Sequence, residues 1–156
     1  MKKSIYILIS IITIGFSLIN NSSNNIKVDY KNIKVVESSN DYTINETSNG
    51  IEYNVDLNTP GDYYEFTLDL VNDSNKNIRI NEINNNTLTE KQKRYLDYKV
   101  LYIDNTPLRV NDVIESNTKK TIKVIIYFKE DLEVEDLPTK EEIINLNLDV
   151  NIMPID

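Results

Sequence analysis

Across residues 144–152 every second position is apolar: Ile144, Leu146, Leu148, Val150 and Ile152 alternate with Asn145, Asn147, Asp149 and Asn151. A period of two sends successive side chains to opposite faces of an extended chain, so this run is a strand with one face in a core and one in water. The pattern recurs. Phe66, Leu68 and Leu70 alternate with Glu65, Thr67 and Asp69; Ile51, Tyr53, Val55 and Leu57 form another series, and Ile122, Val124, Ile126 and Phe128 a third. Residues 26–36, 78–83 and 98–102 alternate in the same way. An apolar set leaning on Ile, Val, Leu and Tyr suits a pleated, half-buried surface. With only 3 Gly in 156 residues, the turns fall to Asn, Asp and Ser. About seven or eight short strands with little helix predict an all-β fold, a single β-sandwich of jelly-roll or immunoglobulin-like type.

The punctuation between the strands is specific. In Thr59-Pro60-Gly61-Asp62, Pro60 presets φ, Gly61 accepts a positive φ and Asp62 can accept from nearby amides. This predicts a turn joining the strands on either side of it as a hairpin. Residues 72–77 turn the chain back. Residues 37–50 are too polar to bury and read as a loop, a tether that would let the strand at 26–36 leave its own sheet. Thr89 and Gln92 stand at capping-box positions with Glu90 in the first turn, so one short helix begins there. Residues 104–107 and 116–120 read as turns, and 108–110 and 113–114 as short edge segments. Residues 130–138 read as a helical turn or crossover stopped by Pro138, with Leu132, Val134 and Leu137 plugging one end of the sandwich.

The first twenty residues differ from the rest. Lys2 and Lys3 precede an apolar run that reaches Ile19 without a charge, the order of an export signal. Residues 1–20 are read as a hydrophobic export helix, residues 21–25 as a linker and residues 26–156 as the sandwich domain. The run ends without a small-x-small cleavage site, and its length is borderline for a bilayer that needs about 20 residues. A removed signal peptide is favoured over a retained membrane anchor. With Lys2 and Lys3 inside, both outcomes place the remainder outside the cell or on the outer face of the cytoplasmic membrane.

The net charge of −8 becomes −10 if residues 1–20 are removed, because they carry two lysines and no acid. Such a surface repels phosphate backbones and anionic membranes, which excludes nucleic acid as a partner and leaves residues 1–20, if uncleaved, as the membrane contact. The absence of Cys excludes disulfides, thiol catalysis and lipid attachment through an N-terminal Cys. With no His either, a Ser-His-Asp mechanism is excluded and a catalytic zinc site lacks its usual ligands. No acid sits in the apolar, aromatic setting that raises a glycosidase carboxyl. Neither an enzymatic activity nor a cofactor is expected. Glu130, Asp131, Glu133, Glu135 and Asp136 offer the oxygen ligands that calcium takes, but their spacing is not that of an EF-hand, and a solvated crossover accounts for them more simply. Tyr63, Tyr64, Tyr95, Tyr98, Tyr102 and Tyr127 either form a carbohydrate-stacking surface or fill cross-strand pairs and sheet edges; the second is favoured.

Taken in order, the features are an export segment, a strand, the Pro60-Gly61-Asp62 turn, a strand ending in Val71-Asn72-Asp73-Ser74, a Lys-rich short helix and a late acidic crossover. Over residues 54–152 this order resembles the secreted TasA/camelysin-like proteins of Gram-positive bacteria. The resemblance implies a jelly-roll domain and an extracellular-matrix fibre subunit. The metallopeptidase name attached to camelysin finds no imidazole or thiolate here. Pro60-Gly61-Asp62 with Asn72 is also similar to extracellular immunoglobulin-like adhesion modules. The expected function is thus an exported, non-enzymatic structural protein of the cell surface or matrix. It would assemble with itself or with other surface proteins, in concrete form by donation of the strand at residues 26–36 to a neighbour, weighed against pairing of that strand within its own subunit, which is slightly favoured. The alternative is a monomeric, membrane-anchored immunoglobulin-like module for adhesion or ligand binding.

Overall fold

A computed structural model describes residues 8–18, 26, 28–47, 50–85 and 88–155 of the chain. Lys2, Lys3, the linker at residues 21–25 and Asn86 lie outside them. The described residues form β1 (Leu8–Leu18), β2 (Val28–Ser38), β3 (Tyr42–Thr47), β4 (Gly50–Leu57), β5 (Tyr63–Asn72), β6 (Asn77–Asn85), α1 (Gln92–Tyr95), β7 (Leu96–Tyr102), β8 (Val113–Ile114), β9 (Thr118–Phe128) and β10 (Glu142–Ile155). One sheet runs β3-β4-β1-β10-β6-β8 and the other β2-β5-β9-β7. All neighbours are antiparallel except β1 and β10, which run parallel in unbroken register from Leu8 opposite Glu142 to Leu18 opposite Ile152.

The two sheets are joined by the alternating apolar residues, as the period of two requires. Ile51, Tyr53, Leu57, Phe66, Leu68, Leu70, Ile122, Val124, Ile126 and Phe128 are fully buried, and Ile144 through Ile152 bury every second side chain. Tyr53 stacks on Phe66 with ring centroids 3.5 Å apart, and Tyr95 meets Phe128 edge-on at 6.1 Å. Each such side chain contributes about 1.5–3 kcal/mol by leaving water. The predicted turns have the expected chemistry. The Asp62 Oδ2 accepts from the amides of Asn58 and Thr59, Gly61 has φ +95°, and the Asp62 amide donates to the Thr59 carbonyl. Buried Asn72 organises the next turn. Its Nδ2 donates to the carbonyls of Lys76, Ile114 and Glu115, and its Oδ1 accepts from the amide and hydroxyl of Ser74. At the helix, the Gln92 amide donates to Thr89 Oγ1 and the Thr89 amide to Gln92 Oε1, a reciprocal capping box.

Several expectations are corrected. The strands flanking Pro60-Gly61 are not a hairpin: β4 belongs to the six-stranded sheet and β5 to the four-stranded one, so the turn is a corner between layers. Residues 37–50 are not one loop. β3 pairs with β4 from Tyr42 opposite Val55 to Thr47 opposite Gly50, as an exposed polar edge with only Ile44 packed toward the core. Thr67 and Asp69 do not face open water; flanked by β2 and β9 and roofed by long polar side chains, they are 9% and 5% exposed. Leu132 and Leu137 pack against the core, but Val134 is 83% exposed on a 3-10 turn at Val134–Asp136.

The largest departure is at the N-terminus. Leu8–Leu18 is a strand here, not the expected helix, and it lies between β4 and β10 with Ile12 and Ile14 fully buried. A continuous apolar run rich in β-branched residues suits a strand buried in a parallel pair as well as it suits a membrane helix. In the full chain the six-stranded sheet therefore begins before the expected boundary at residue 26. No helix among the described residues is long and apolar enough to cross a membrane.

Candidate functional site

Two places in the sandwich concentrate features that a core alone does not require. The first is a depression of about 720 Å³ at one end of the four-stranded sheet, lined by Glu37, Ser39, Tyr63, Tyr127, Lys129, Glu130 and Asp131 among others. Tyr63 and Tyr127 are register partners across β5 and β9, their ring centroids 6.4 Å apart and tilted by 37°. Each hydroxyl is tied to a carboxylate: Tyr63 donates to Glu65 Oε2 at 2.5 Å and Tyr127 to Asp97 Oδ2 at 2.7 Å. Lys99 Nζ lies 5.6 Å from the Tyr127 ring centre and 3.0 Å from Asp97. Burial, then the bond to Glu65, then the charge of Glu37 push the Tyr63 hydroxyl well above the usual phenol range; for Tyr127 the bond to Asp97 leads. Both therefore stay protonated at neutral pH and offer ring surface and hydrogen bonds.

The six tyrosines are divided between core and surface. Tyr64 and Tyr95 are buried in the core, Tyr98 has a buried hydroxyl, and Tyr102 donates to Asp112 Oδ2 at 2.8 Å beside a separate depression. Only Tyr63 and Tyr127 line the large depression. Glu37 enters through the pairing of β2 with β5, and Ser39, just past β2, through the bonds its amide and hydroxyl make with the Tyr63 carbonyl and amide; no local pattern in the chain reveals either. Of the acidic run, Glu130 and Asp131 line the same depression, while Asp136 lies 3.5 Å from Arg94 Nη1. Glu133 and Glu135 flank and enter the 3-10 turn, apart from that wall. Among the described residues no group of three or more acidic side chains is arranged to hold a metal ion.

The second place is the position of β1. It is bounded by β4, from Leu57 opposite Leu8 to Ile51 opposite Ile14, and by β10 along the whole of Leu8–Leu18. β1 approaches its surroundings closely at one end: a Cβ on Gly50, which has φ +149°, would stand 2.0 Å from the Ile14 carbonyl oxygen. At Ser10 its fit is poorer. This side chain is fully buried opposite Val55 and Ile144, and its Oγ makes no hydrogen bond. The hydroxyls of Tyr53 and Tyr64 are likewise buried without a partner. An unsatisfied buried hydroxyl costs about 1–3 kcal/mol. No local pattern in the chain marks this position, because the apolar run that fills it also has the order of an export signal.

No protein-family model matches the chain, and neither the curated proteins nor the solved structures hold a match to it.

Proposed function

We propose that this chain is an exported structural protein of the cell surface or extracellular matrix whose copies join by strand donation. One observation carries the reading: the strand in the middle of the six-stranded sheet is the same apolar segment that, behind Lys2 and Lys3, reads as an export signal. When that segment leaves the domain, β4 and β10 face each other across a slot roughly 10 Å wide, twice the spacing of neighbouring strands. Two rows of N–H and C=O groups are then left beside the core, and another extended chain satisfies both at once.

Residues 26–36 have the sequence for that role. Ile26, Val28 and Tyr30 repeat the inward alternation of Ser10, Ile12 and Ile14. In the chain as folded here, β2 pairs within its own subunit, but with β5 alone, and that ladder shifts register twice, after Lys31 and after Val35. An edge strand held from one side is the piece of a sandwich most easily lent to a neighbour. Deleting residues 26–36 abolishes fibres in negative-stain microscopy of the exported protein while leaving a cooperatively unfolding domain; unchanged assembly overturns the reading.

The tyrosine-lined depression favours a second reading, the monomeric, membrane-anchored module that binds a ligand there. Its mark is an intact mass that retains residues 1–20 together with a persistently monomeric protein.

A further inference from the structure

We propose that Leu8–Leu18 acts as a plug: while it is seated between β4 and β10 the chain is closed to assembly, and its withdrawal opens the slot to a strand of a second copy. This inference rests on the reading just given and adds its regulation. Three observations carry it.

β1 is paired on both sides, in unbroken register with β10 and with β4, so while it is present neither edge is open to a newcomer. It fills the core as well as the sheet, since Ile12 and Ile14 are fully buried. Yet it is a guest of imperfect fit. Ser10 brings a hydroxyl into the core that bonds to nothing, a defect that Ile26 or Val28 of a donated strand would not introduce. The apolar length that suits β1 to the slot also suits it to a lipid phase or an export channel, so the segment has two competing destinations. Which one it occupies decides whether a copy is closed or open.

The test uses the full chain with a protease site introduced within residues 19–25 and the paired substitutions Thr13→Cys and Glu52→Cys. These positions are register partners on β1 and β4, and the chain has no other Cys. The probe is a fluorescent synthetic peptide of residues 26–37, with anisotropy reporting its uptake and light scattering reporting self-association. The uncut protein, and the cut protein held by its disulfide, should take up no peptide and stay small. The cut and reduced protein should release its N-terminal fragment, take up the peptide at least about tenfold faster, and grow. In the uncut chain, Ile12→Ala with Ile14→Ala loosens the plug without removing its backbone pairing, and raises peptide uptake. Uptake by the cut and reduced protein without growth upholds the plug and sinks self-assembly. Growth or uptake by the uncut, disulfide-locked protein at the rate of the reduced one overturns the plug and leaves assembly standing. A cut and reduced protein that keeps its fold and its fragment and binds nothing also overturns the plug.

Discussion

Asp69 lies on the outer face of the four-stranded sheet, yet it is only 5% exposed and collects three donors: Lys119 Nζ at 2.5 Å, Thr121 Oγ1 at 2.6 Å and Asn32 Nδ2 at 2.8 Å. Asn32 reaches it from β2 with φ +53°, and Lys119 and Thr121 from β9, so one carboxylate ties three strands together. Burial alone would raise its pKa, but the bonds from Lys119, Thr121 and Asn32 outweigh burial and hold the carboxyl at about 2. A depressed folded-state pKa adds stability that is fully present above the unfolded value of about 4 and is lost as pH falls toward 2. The amount is on the order of 2 kcal/mol. Asp69→Asn should therefore lower the urea midpoint at pH 7 by an amount equivalent to ~1–3 kcal/mol. It should also flatten the fall in stability between pH 4 and pH 2. Equal pH profiles for the two proteins would remove Asp69 from this role.

At the scale of elements, Gly50 reports on β1. Its φ of +149° is open to glycine, and an added Cβ would meet backbone, the Ile14 carbonyl oxygen at 2.0 Å, which has no side-chain freedom to yield. Gly50→Ala should destabilise the full chain by more than ~2 kcal/mol, combining backbone strain with displacement of β1. Limited proteolysis should then cut within the first twenty residues before the rest of the chain. A variant with unchanged melting temperature and unchanged cutting order would mean that β1 does not hold this place. The same element shows where reading the chain alone runs out. Period-two alternation marks β4, β5, β6, β7, β9 and β10 because each has one face in the core and a local pattern records that. Alternation does not record which sheet a strand joins, so the Asp62 corner, whose hydrogen bonds suit a hairpin equally well, reads as a hairpin from the chain alone although its two strands lie in different sheets. β3 has one partly buried apolar residue, Ile44, and so left no pattern; its order comes from its ladder with β4. The depression between Tyr63 and Tyr127 was half legible, because the tyrosines are visible in the chain while Glu37 and Ser39 arrive through pairing and hydrogen bonds with the distant β5.

For the whole molecule, net charge sets the conditions under which copies can meet. At −8, or −10 without residues 1–20, copies at neutral pH repel one another, and acidification, by adding protons to carboxylates, reduces that charge. Asp69, held at about 2, keeps its charge and its three partners under mild acidification, so the sandwich persists while repulsion between copies fades. The protein with its slot open should therefore scatter little light at pH 7 in low salt and assemble as pH is lowered to about 4.5, or as salt near 0.15 M shortens the screening length to about 8 Å. Neutralisation by itself also precipitates acidic proteins, and the return to pH 7 separates the two causes. A precipitate held only by lost charge redissolves when the charge returns. A donated strand does not, because leaving the slot requires breaking both of its ladders and exposing the core beneath it. Filaments that survive the return to pH 7, and that the chain lacking residues 26–36 never forms, are the expected result; scattering that falls back to the monomer level at pH 7 would mean that charge alone had gathered the copies.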